Sequence, residues 1–263
     1  MKESAAQRRW RSYGPPIILI LGLLVLWEVL VTWQAVPPWI LPAPSQIIQA
    51  MWQNADLLLP HVLQTMKQVL LGLGLAIVTG VALAAILDLS SWLRRALYPL
   101  LVASQTIPIL ALAPLLIIWF GFGLTPKVFI VTLFCFFPIA INTADGLTAA
   151  DPELLALLHA MGATRRQIWR KVRLPASLPY FFSGLRIAAT YSVVGAIIGE
   201  WVGASQGLGI FMLRSANAFK TDQVFAAIVI STLLSLILFG LVFIAERALL
   251  PWYYTSQRES QWV

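Results

Sequence analysis

Six long apolar windows are the feature of this sequence that most constrains its fold. A helix needs about 20 mainly apolar residues to cross the hydrocarbon core of a bilayer, and the six windows reach or approach that length. They are spread along most of the 263 residues, which excludes a soluble domain held by a single anchor. We therefore predict an all-helical, polytopic membrane protein with six transmembrane helices. The windows cover residues 16–36, 69–87, 97–120, 127–142, 181–202 and 224–245.

The third and fourth windows depart from a regular span. The third contains Pro108 and Pro114, and proline inside a span frees backbone carbonyl groups that neighbouring helices must satisfy. The fourth is short for a bilayer. We therefore expect both windows to be kinked or irregular and to lie in the interior of the helix bundle.

The composition agrees with a membrane protein and excludes several other classes. Hydrophobic residues make up 59% of the chain and charged residues only 11%, whereas a soluble domain has about 25% charged residues. The single cysteine, Cys135, permits neither a disulfide framework nor a cysteine metal cluster. His61 is expected at a surface turn and His159 on a polar helix face. Since no group of side chains has metal-ligand spacing, no metal site is predicted.

Glycine-rich phosphate-binding motifs are missing from the sequence. Neither Gly-x-x-x-x-Gly-Lys-Ser/Thr nor Gly-x-Gly-x-x-Gly at a strand-to-helix turn occurs. The chain is therefore predicted not to be an enzyme: it has no catalytic residues, holds no cofactor and does not hydrolyse ATP. The net charge of +7 is interpreted as a signal for topology and for lipid headgroups, and no nucleic acid is expected as a partner.

The distribution of Lys and Arg assigns the two sides of the membrane, because cytoplasmic segments collect positive charge. Fourteen of the eighteen basic residues fall on one side of the six windows and four on the other. Both termini are therefore predicted to be cytoplasmic. The larger group comprises Lys2, Arg8, Arg9, Arg11, Arg94, Arg95, Arg165, Arg166, Arg170, Lys171, Arg173, Arg186, Arg247 and Arg258, and the smaller group Lys67, Lys127, Arg214 and Lys220.

The cytoplasmic loop between the fourth and fifth windows, residues 143–179, is predicted to begin with a helix. Asp151, Pro152 and Glu153 are typical of a helix start, with a carboxylate cap, proline at the first helical position and an acid facing the helix dipole. Gly162 is expected to end this helix with a positive φ. The result is a helix of about ten residues, some 15 Å long.

A second, basic helix is predicted to follow. Thr164 and Gln167 have the spacing of a capping box at its start. This helix is expected to end near Leu174, because Pro175 disfavours helical backbone in the residue before it.

The first loop helix is apolar over more of its circumference than a solvated helix should be. Leu154, Leu158 and Met161 form one stripe, and Leu155 and Leu157 widen it. Such a surface predicts a groove in a partner protein. A helix pair lying flat at the membrane surface is the alternative, whereas a DNA-reading helix-turn-helix is disfavoured because spans tether both ends.

The spacing of this loop resembles the Glu-Ala-Ala loop of ATP-binding-cassette importer permeases. That loop reads Glu-Ala-Ala, three residues, Gly, nine residues, Ile, any residue and Leu-Pro. Here Gly162 matches the glycine and Val172-Arg173-Leu174-Pro175 matches the end of the motif. The triplet falls on Ala156-Leu157-Leu158, so its glutamate is missing, and Glu153, one turn earlier, is the acid that could replace it.

Further motifs resemble the branch of these permeases that handles nitrate, sulfonate, taurine, bicarbonate and thiamine precursors. Residues 171–203 look most like the members for pyrimidine thiamine precursors or riboflavin. The motifs are Leu41-Pro42-Ala43-Pro44-Ser45, residues 113–123, Gly199-Glu200-Trp201 and Gly207-Leu208-Gly209.

The resemblance implies a permease subunit of the bacterial inner membrane, with one membrane domain over residues 16–252 between cytoplasmic segments 1–15 and 253–263. It also implies a homodimer with a second permease copy, two cytoplasmic ATPase subunits that bind ATP and Mg, and a soluble binding protein that delivers a small solute. The residues expected to contact the ATPase are Glu153, Leu154, Leu157, Leu158, Met161, Gly162, Ala163, Leu174 and Pro175.

Ionisable residues within the windows are few, and such residues often mark a transport pathway. Glu28 either makes a polar contact between helices or lines the pathway. Glu200 precedes Trp201 and a glycine-rich segment with Gly207 and Gly209. We expect Glu200 either to act in a gate or pathway or to make a buried hydrogen bond. An ion-coupled secondary transporter is the alternative function. Such transporters use ionisable residues inside the helix bundle, and here only two glutamates are available.

Overall fold

The computed structural model describes the backbone of residues 5–253 and the side chains of residues 14–253. Of the basic residues that assign the topology, Lys2, Arg8, Arg9, Arg11 and Arg258 lie outside the described side chains. The regular elements of the described chain are α1 (Ala5–Trp33), α2 (Pro44–Gln53), α3 (Ala55–Leu89), α4 (Ser91–Ser104), α5 (Ile109–Phe120), α6 (Leu124–Thr148), α7 (Pro152–Ala160), α8 (Arg165–Ile168), a π-helical segment (Trp169–Arg173), α9 (Leu174–Trp201), α10 (Leu208–Asn217) and α11 (Thr221–Leu249).

Five helices of the described chain are long and apolar enough to cross a membrane. They are α1 from Gly14 onward, α3, α6, α11 and the continuous helix from Arg165 to Trp201. The bent pair of α4 and α5 raises the number to six if it counts as one span. The prediction of an all-helical polytopic membrane protein is thus confirmed.

The third window is divided into two helices. The last residue of α4 is Ser104, and α5 begins at Ile109 with its axis bent by 96° from that of α4. Pro108 precedes α5 with an extended backbone, at φ −68° and ψ 106°. Proline has no N–H for a helical hydrogen bond and disfavours helical backbone in the residue before it. The predicted kink in this window is therefore confirmed, and Pro114 lies inside α5.

The fourth window is neither short nor broken. Helix α6 runs without interruption for 25 residues, past the apolar run that ends at residue 142. Two polar side chains bond to the backbone one turn earlier: Asn142 Nδ2 donates to the Pro138 carbonyl at 2.7 Å, and Thr143 Oγ1 donates to the Ile139 carbonyl at 2.6 Å. The expectation of a short, irregular fourth span was wrong because the helix extends further than its apolar residues.

The chain divides into two compact units, and each is described by itself. In the first unit, Ile47 and Ala50 of α2 are buried in a cluster with Ala226. The rings of Trp27 and Phe225 lie beside this cluster, with their centroids 5.8 Å apart. The first unit comprises residues 1–59 and 211–230, and the second comprises residues 60–210 and 231–263.

In the second unit, α6 and α9 approach closely through small residues. Gly184 of α9 faces the Pro138 carbonyl of α6 so closely that a Cβ would overlap it. Cys135 is fully buried, and its Sγ donates to the Ala188 carbonyl at 3.3 Å. Small residues let helix backbones come together, which is the main source of packing contact between helices in a membrane. This contact brings together the two helices that flank the loop predicted to be cytoplasmic.

Candidate coupling segment and polar cluster at Glu200

Residues 151–173, called the coupling segment below, begin as the sequence predicts. Asp151 caps α7, and one of its carboxylate oxygens accepts a hydrogen bond from the Glu153 N–H at 2.8 Å. Pro152 occupies the first helical position, where a missing N–H costs nothing. The side chain of Glu153 is exposed. The predicted helix start is confirmed.

Gly162 ends α7 in the left-handed conformation, with φ +81°. Its N–H donates to the His159 carbonyl at 3.0 Å, and the Ala163 N–H donates to the Leu158 carbonyl at 3.0 Å. This pair of bonds is the Schellman motif. A Cβ at position 162 would meet no atom within 4 Å. The positive φ expected here is confirmed, and the position favours glycine for its backbone conformation, not for space.

Helix α7 leaves apolar side chains uncovered. Leu154 is 42% exposed, Leu157 57% and Met161 74%. Leu155 and Leu158 are half-buried against the rest of the chain. The exposed stripe therefore runs through Leu157, not through Leu158 as the sequence suggested.

The second half of the coupling segment differs from its prediction. The capping box is present: the Thr164 N–H donates to Gln167 Oε1 at 2.8 Å, and the Gln167 N–H donates to Thr164 Oγ1 at 3.3 Å. However, the helix does not end near Leu174. It passes through the π-helical segment and continues as α9, which makes one helix from Arg165 to Trp201.

A single hydrogen bond explains why Pro175 does not end this helix. The Leu174 N–H donates to the Trp169 carbonyl, five residues back, instead of four. Pro175 has no N–H to donate, and it follows directly after this wider turn. A π-turn takes up one extra residue, so the chain enters α9 without a break. Leu174 is exposed and Pro175 half-buried.

Glu200, near the end of α9, is fully buried at the centre of a polar cluster. Its Oε1 accepts a hydrogen bond from Thr65 Oγ1 at 2.7 Å, and its Oε2 accepts one from the Gly209 N–H at 2.7 Å. Thr65 Oγ1 in turn accepts from the Leu208 N–H at 2.9 Å. His61 Nδ1 accepts from the Gly207 N–H at 2.9 Å. Side chains of α3 and α9 therefore satisfy three consecutive N–H groups at the start of α10.

The two glycines of this cluster lie against Glu200 and its helix. A Cβ at Gly207 would overlap the Glu200 carboxylate, and Gly207 has φ +135°. A Cβ at Gly209 would lie 2.5 Å from the Ile197 carbonyl oxygen. Trp201, the next residue after Glu200, is 46% exposed. The structure thus brings together Glu200, Gly207 and Gly209 and leaves Trp201 at their edge.

The sequence prediction was right for His159 and wrong for His61. His159 is exposed on α7 as expected, with its Nδ1 2.7 Å from the Leu155 carbonyl oxygen. His61 is 8% exposed, so the expected surface turn was wrong. The reason is its partner, the Gly207 N–H, which is 146 residues away in sequence.

Glu28 binds the start of α2. Its Oε1 accepts a hydrogen bond from Ser45 Oγ at 2.7 Å, and its Oε2 accepts one from the Ser45 N–H at 3.0 Å. A carboxylate at a helix N-terminus satisfies free N–H groups and interacts favourably with the helix dipole. Glu28 is half-buried, and the structure gives it a polar contact between two helices of the first unit.

A cleft of about 790 Å³ lies between α9 and the end of α11. At its side, Arg186 Nε lies 3.4 Å from Glu246 Oε2, and Glu246 is 1% exposed. Sequence reasoning missed this pair, although an acid directly after the sixth apolar window was a usable signal. The cleft is lined by Tyr180, Ser183, Arg186, Phe243, Glu246 and Trp252, among others.

Residues 72–251 match the family described as binding-protein-dependent transport system inner membrane component. The match covers more than half of the chain. The chain belongs to this family. This permease is therefore a multi-pass inner-membrane component of an ABC importer, and ATP hydrolysis takes place in a separate subunit. The family assignment excludes the alternative of an ion-coupled secondary transporter.

Three curated relatives align with nearly the whole permease. It is 41% identical over 245 residues to the formylaminopyrimidine transport permease protein ThiX of Halalkalibacterium halodurans, covering 92% of this chain and 98% of that one. It is 38% identical over 252 residues to the riboflavin transport system permease protein RibX of Chloroflexus aurantiacus, covering 95% and 94%. Identity to the taurine transport system permease protein TauC of Escherichia coli is 30%, covering 96% of each.

A solved structure shares the fold of the permease. A chain from an inward-facing structure of the MetNI methionine ABC transporter superimposes with a TM-score of 0.66. The alignment covers 74% of the permease and 97% of that chain, at 23% sequence identity. The similarity supports the helical architecture described above.

Proposed function

We propose that the permease has six membrane spans, with α4 and α5 counted as one bent span. Three parts of the chain lie in the cytoplasm: the residues before Gly14, those after Leu249, and the coupling segment that joins the fourth span to the fifth. This agrees with the excess of basic residues on that side. The permease forms a homodimer, with the translocation path between the two copies. Two ATPase subunits bind below it, and a soluble binding protein delivers the solute from outside.

The observation that carries this proposal is the uncovered apolar face of α7. Leu154, Leu157 and Met161 lie at positions i, i+3 and i+7, on a helix in which every residue is at least partly exposed. An amphipathic helix that lays its apolar face into a groove is a recurrent mode of protein recognition. The Asp151 cap and the Gly162 turn fix both ends of this helix, so it can transmit force as a rigid element. The groove belongs to an ATPase subunit.

The proposed solute is a pyrimidine precursor of thiamine, such as formylaminopyrimidine, or riboflavin. Support comes from the solutes of the relatives at 41% and 38% identity, formylaminopyrimidine and riboflavin, against 30% identity to the taurine permease. Nitrate, sulfonate, taurine or bicarbonate is the second choice. The test is the melting temperature of the binding protein encoded beside this permease, measured with each compound. Stabilisation by taurine alone would contradict the first choice.

In this arrangement Glu200 positions the segment from Gly203 to Gly209, which leads into the first turn of α10 at the outer end of the fifth span. Its carboxylate is fully buried and bonded to Thr65 and Gly209. Contact between Glu200 and the solute would require these bonds to break. We assign it a role in the shape of the outer segment, with Trp201 at the exposed edge.

The test of the proposed docking is a charge on the α7 stripe. Leu157→Asp would place a carboxylate in the apolar groove, which is costly for an unpaired charge. Co-purification of the ATPase and stimulated ATP hydrolysis should both be lost. The matched control is Leu249→Asp at the end of α11, where the native leucine is equally exposed, at 61% against 57%.

The control variant should retain the ATPase. If Leu157→Asp also retains the ATPase and transports solute normally, α7 does not dock as proposed. If it instead loses stability in the membrane while the complex stays intact, α7 lies on lipid.

A further inference from the structure

Two ion pairs join neighbouring helices of the second unit at the end that carries the coupling segment. Arg173 Nη1, in the last residue of the π-helical segment, lies 2.8 Å from Asp88 Oδ1 of α3. Arg94 Nη2 of α4 lies 3.1 Å from Asp145 Oδ1 of α6. Helices α6 and α9 are connected to the coupling segment by the chain itself. Helices α3 and α4 are not. They are linked to it by their packing against α6, where Ala84, Leu87 and Leu101 share a buried cluster with residues of α6, and by these two ion pairs.

Asp88 occupies a position that its own helix does not favour. It lies in the last turn of α3, where the helix dipole disfavours a negative charge. Its side chain is only 7% exposed, so water does little to offset this cost. Arg173, 34% exposed, supplies the positive charge from 85 residues away in the sequence. The local sequence of α3 therefore does not explain an acid at this position, whereas the ion pair with Arg173 explains it.

The π-helical segment sets the direction of the Arg173 side chain. The bond from the Leu174 N–H to the Trp169 carbonyl adds one residue to the turn. One extra residue rotates the helix before it by about 100° relative to the helix after it. The orientation of Arg173 toward α3 therefore depends on the same turn that joins the coupling segment to α9.

The second pair has its own supporting contacts. Arg94 Nη1 also donates to the Ala144 carbonyl at 3.1 Å, and Tyr98 Oη donates to Asp145 Oδ1 at 3.0 Å. Two residues of α4 therefore bind one turn of α6. In the next residue, Gly146, a Cβ would lie 2.9 Å from the Ser177 Cα of α9, so α6 and α9 are in backbone contact at this level.

We propose that Arg173, Asp88, Arg94 and Asp145 are positioning residues that carry the movement of the coupling segment to α3 and α4. The inference rests on the proposed docking of α7 to an ATPase subunit. When that subunit displaces α7, α9 and α6 follow through the chain, and the two ion pairs make α3 and α4 follow with them. Without the pairs, ATP hydrolysis continues while α3 and α4 follow the movement less closely.

The experiment uses the complete importer in proteoliposomes and measures formylaminopyrimidine uptake and ATP hydrolysis in the same sample. Asp88→Asn and Arg173→Gln should each lower the uptake per ATP hydrolysed by about tenfold. The ATPase should still co-purify with both variants. The exchange of charges, Asp88→Arg with Arg173→Asp, should restore the ratio to within about threefold of the parent. A purely structural role would lower the amount of folded complex but leave this ratio unchanged.

The matched control is Arg95→Gln. Arg95 is exposed, and its Nε donates to the Ser91 carbonyl within its own helix. Uptake per ATP should stay at the parent value. If Asp88→Asn also stays at that value, or if the exchanged pair does not recover, the inference is overturned.

A second measurement needs no solute. Spin labels at Leu89→Cys and Ala156→Cys, in a Cys135→Ser background, report the distance between the end of α3 and α7 by EPR. This distance should be the same in the nucleotide-free and vanadate-trapped complexes of the parent and should change between them when Asp88→Asn is added. A change in the parent as well would overturn the inference. Loss of the ATPase from the parent complex would instead contradict the proposed docking.

Discussion

The carboxylate of Glu200 occupies the space that a side chain at position 207 would need, so Glu200 fits here only because residue 207 is a glycine. Glu200 uses both carboxylate oxygens, one for the Thr65 hydroxyl and one for the Gly209 N–H. Buried in this way, it closes the turn that leads into α10. A carboxylate with two such donors is part of the scaffold, and its removal leaves both donors without an acceptor.

The first prediction concerns this turn. Glu200→Ala should lower the free energy of unfolding by about 1–3 kcal/mol, because two buried donors lose their partner. Gly207→Ala should be at least as damaging, since the new Cβ overlaps the carboxylate and φ is +135°. Thermal unfolding of the purified permease measures both, and Ser205→Ala, in an exposed position of the same segment, is the control. A Glu200→Ala variant of unchanged stability that cannot transport would indicate a pathway role instead.

The second prediction concerns Gly162. Its φ of +81° costs a β-branched residue about 1 kcal/mol or more. Gly162→Val should therefore uncouple or detach the ATPase while the permease remains in the membrane. Gly162→Asn is the control, because asparagine tolerates the left-handed conformation. Co-purification and stimulated ATP hydrolysis are the measurements, and normal transport by the valine variant would show that the turn is not required.

The third prediction concerns topology. In a Cys135→Ser background, a cysteine at Ser90 should be protected from a membrane-impermeant thiol reagent in intact cells, and one at Ser205 should be labelled. Both serines are exposed in the structure, so burial does not explain a difference between them. Reversed labelling would overturn the orientation and the cytoplasmic location of the coupling segment.

The fourth prediction separates the two interpretations of Glu28. Ser45→Ala and Glu28→Gln both weaken the cap of α2, and each should lower stability by about 0.5–2 kcal/mol. Because they disrupt the same contact, the double variant should cost less than the sum of the two. A thermal-unfolding double-mutant cycle measures this coupling. Additive effects, with transport lost only in Glu28→Gln, would instead favour a place for Glu28 on the pathway.

Features that depend on neighbouring residues could be predicted from the sequence. The Asp151 cap, the Gly162 turn, the Thr164–Gln167 capping box and the break before Pro108 each follow from backbone chemistry within a few residues. The all-helical, polytopic class follows from apolar length, which needs no tertiary information. The family followed from motif spacing for the same reason.

Tertiary structure alone decided the partners of the buried polar groups. His61 was expected at the surface because its own neighbours contain no partner, and only the folded chain brings the Gly207 N–H to it from 146 residues away. Asp88 likewise acquires its role from Arg173, 85 residues further along the chain. Even Pro175, a local signal, was overridden by a five-residue hydrogen bond that keeps the coupling segment continuous with α9. Local sequence determines where helices start and stop in isolation, but the burial of a charge or an N–H group depends on which distant helix the fold places against it.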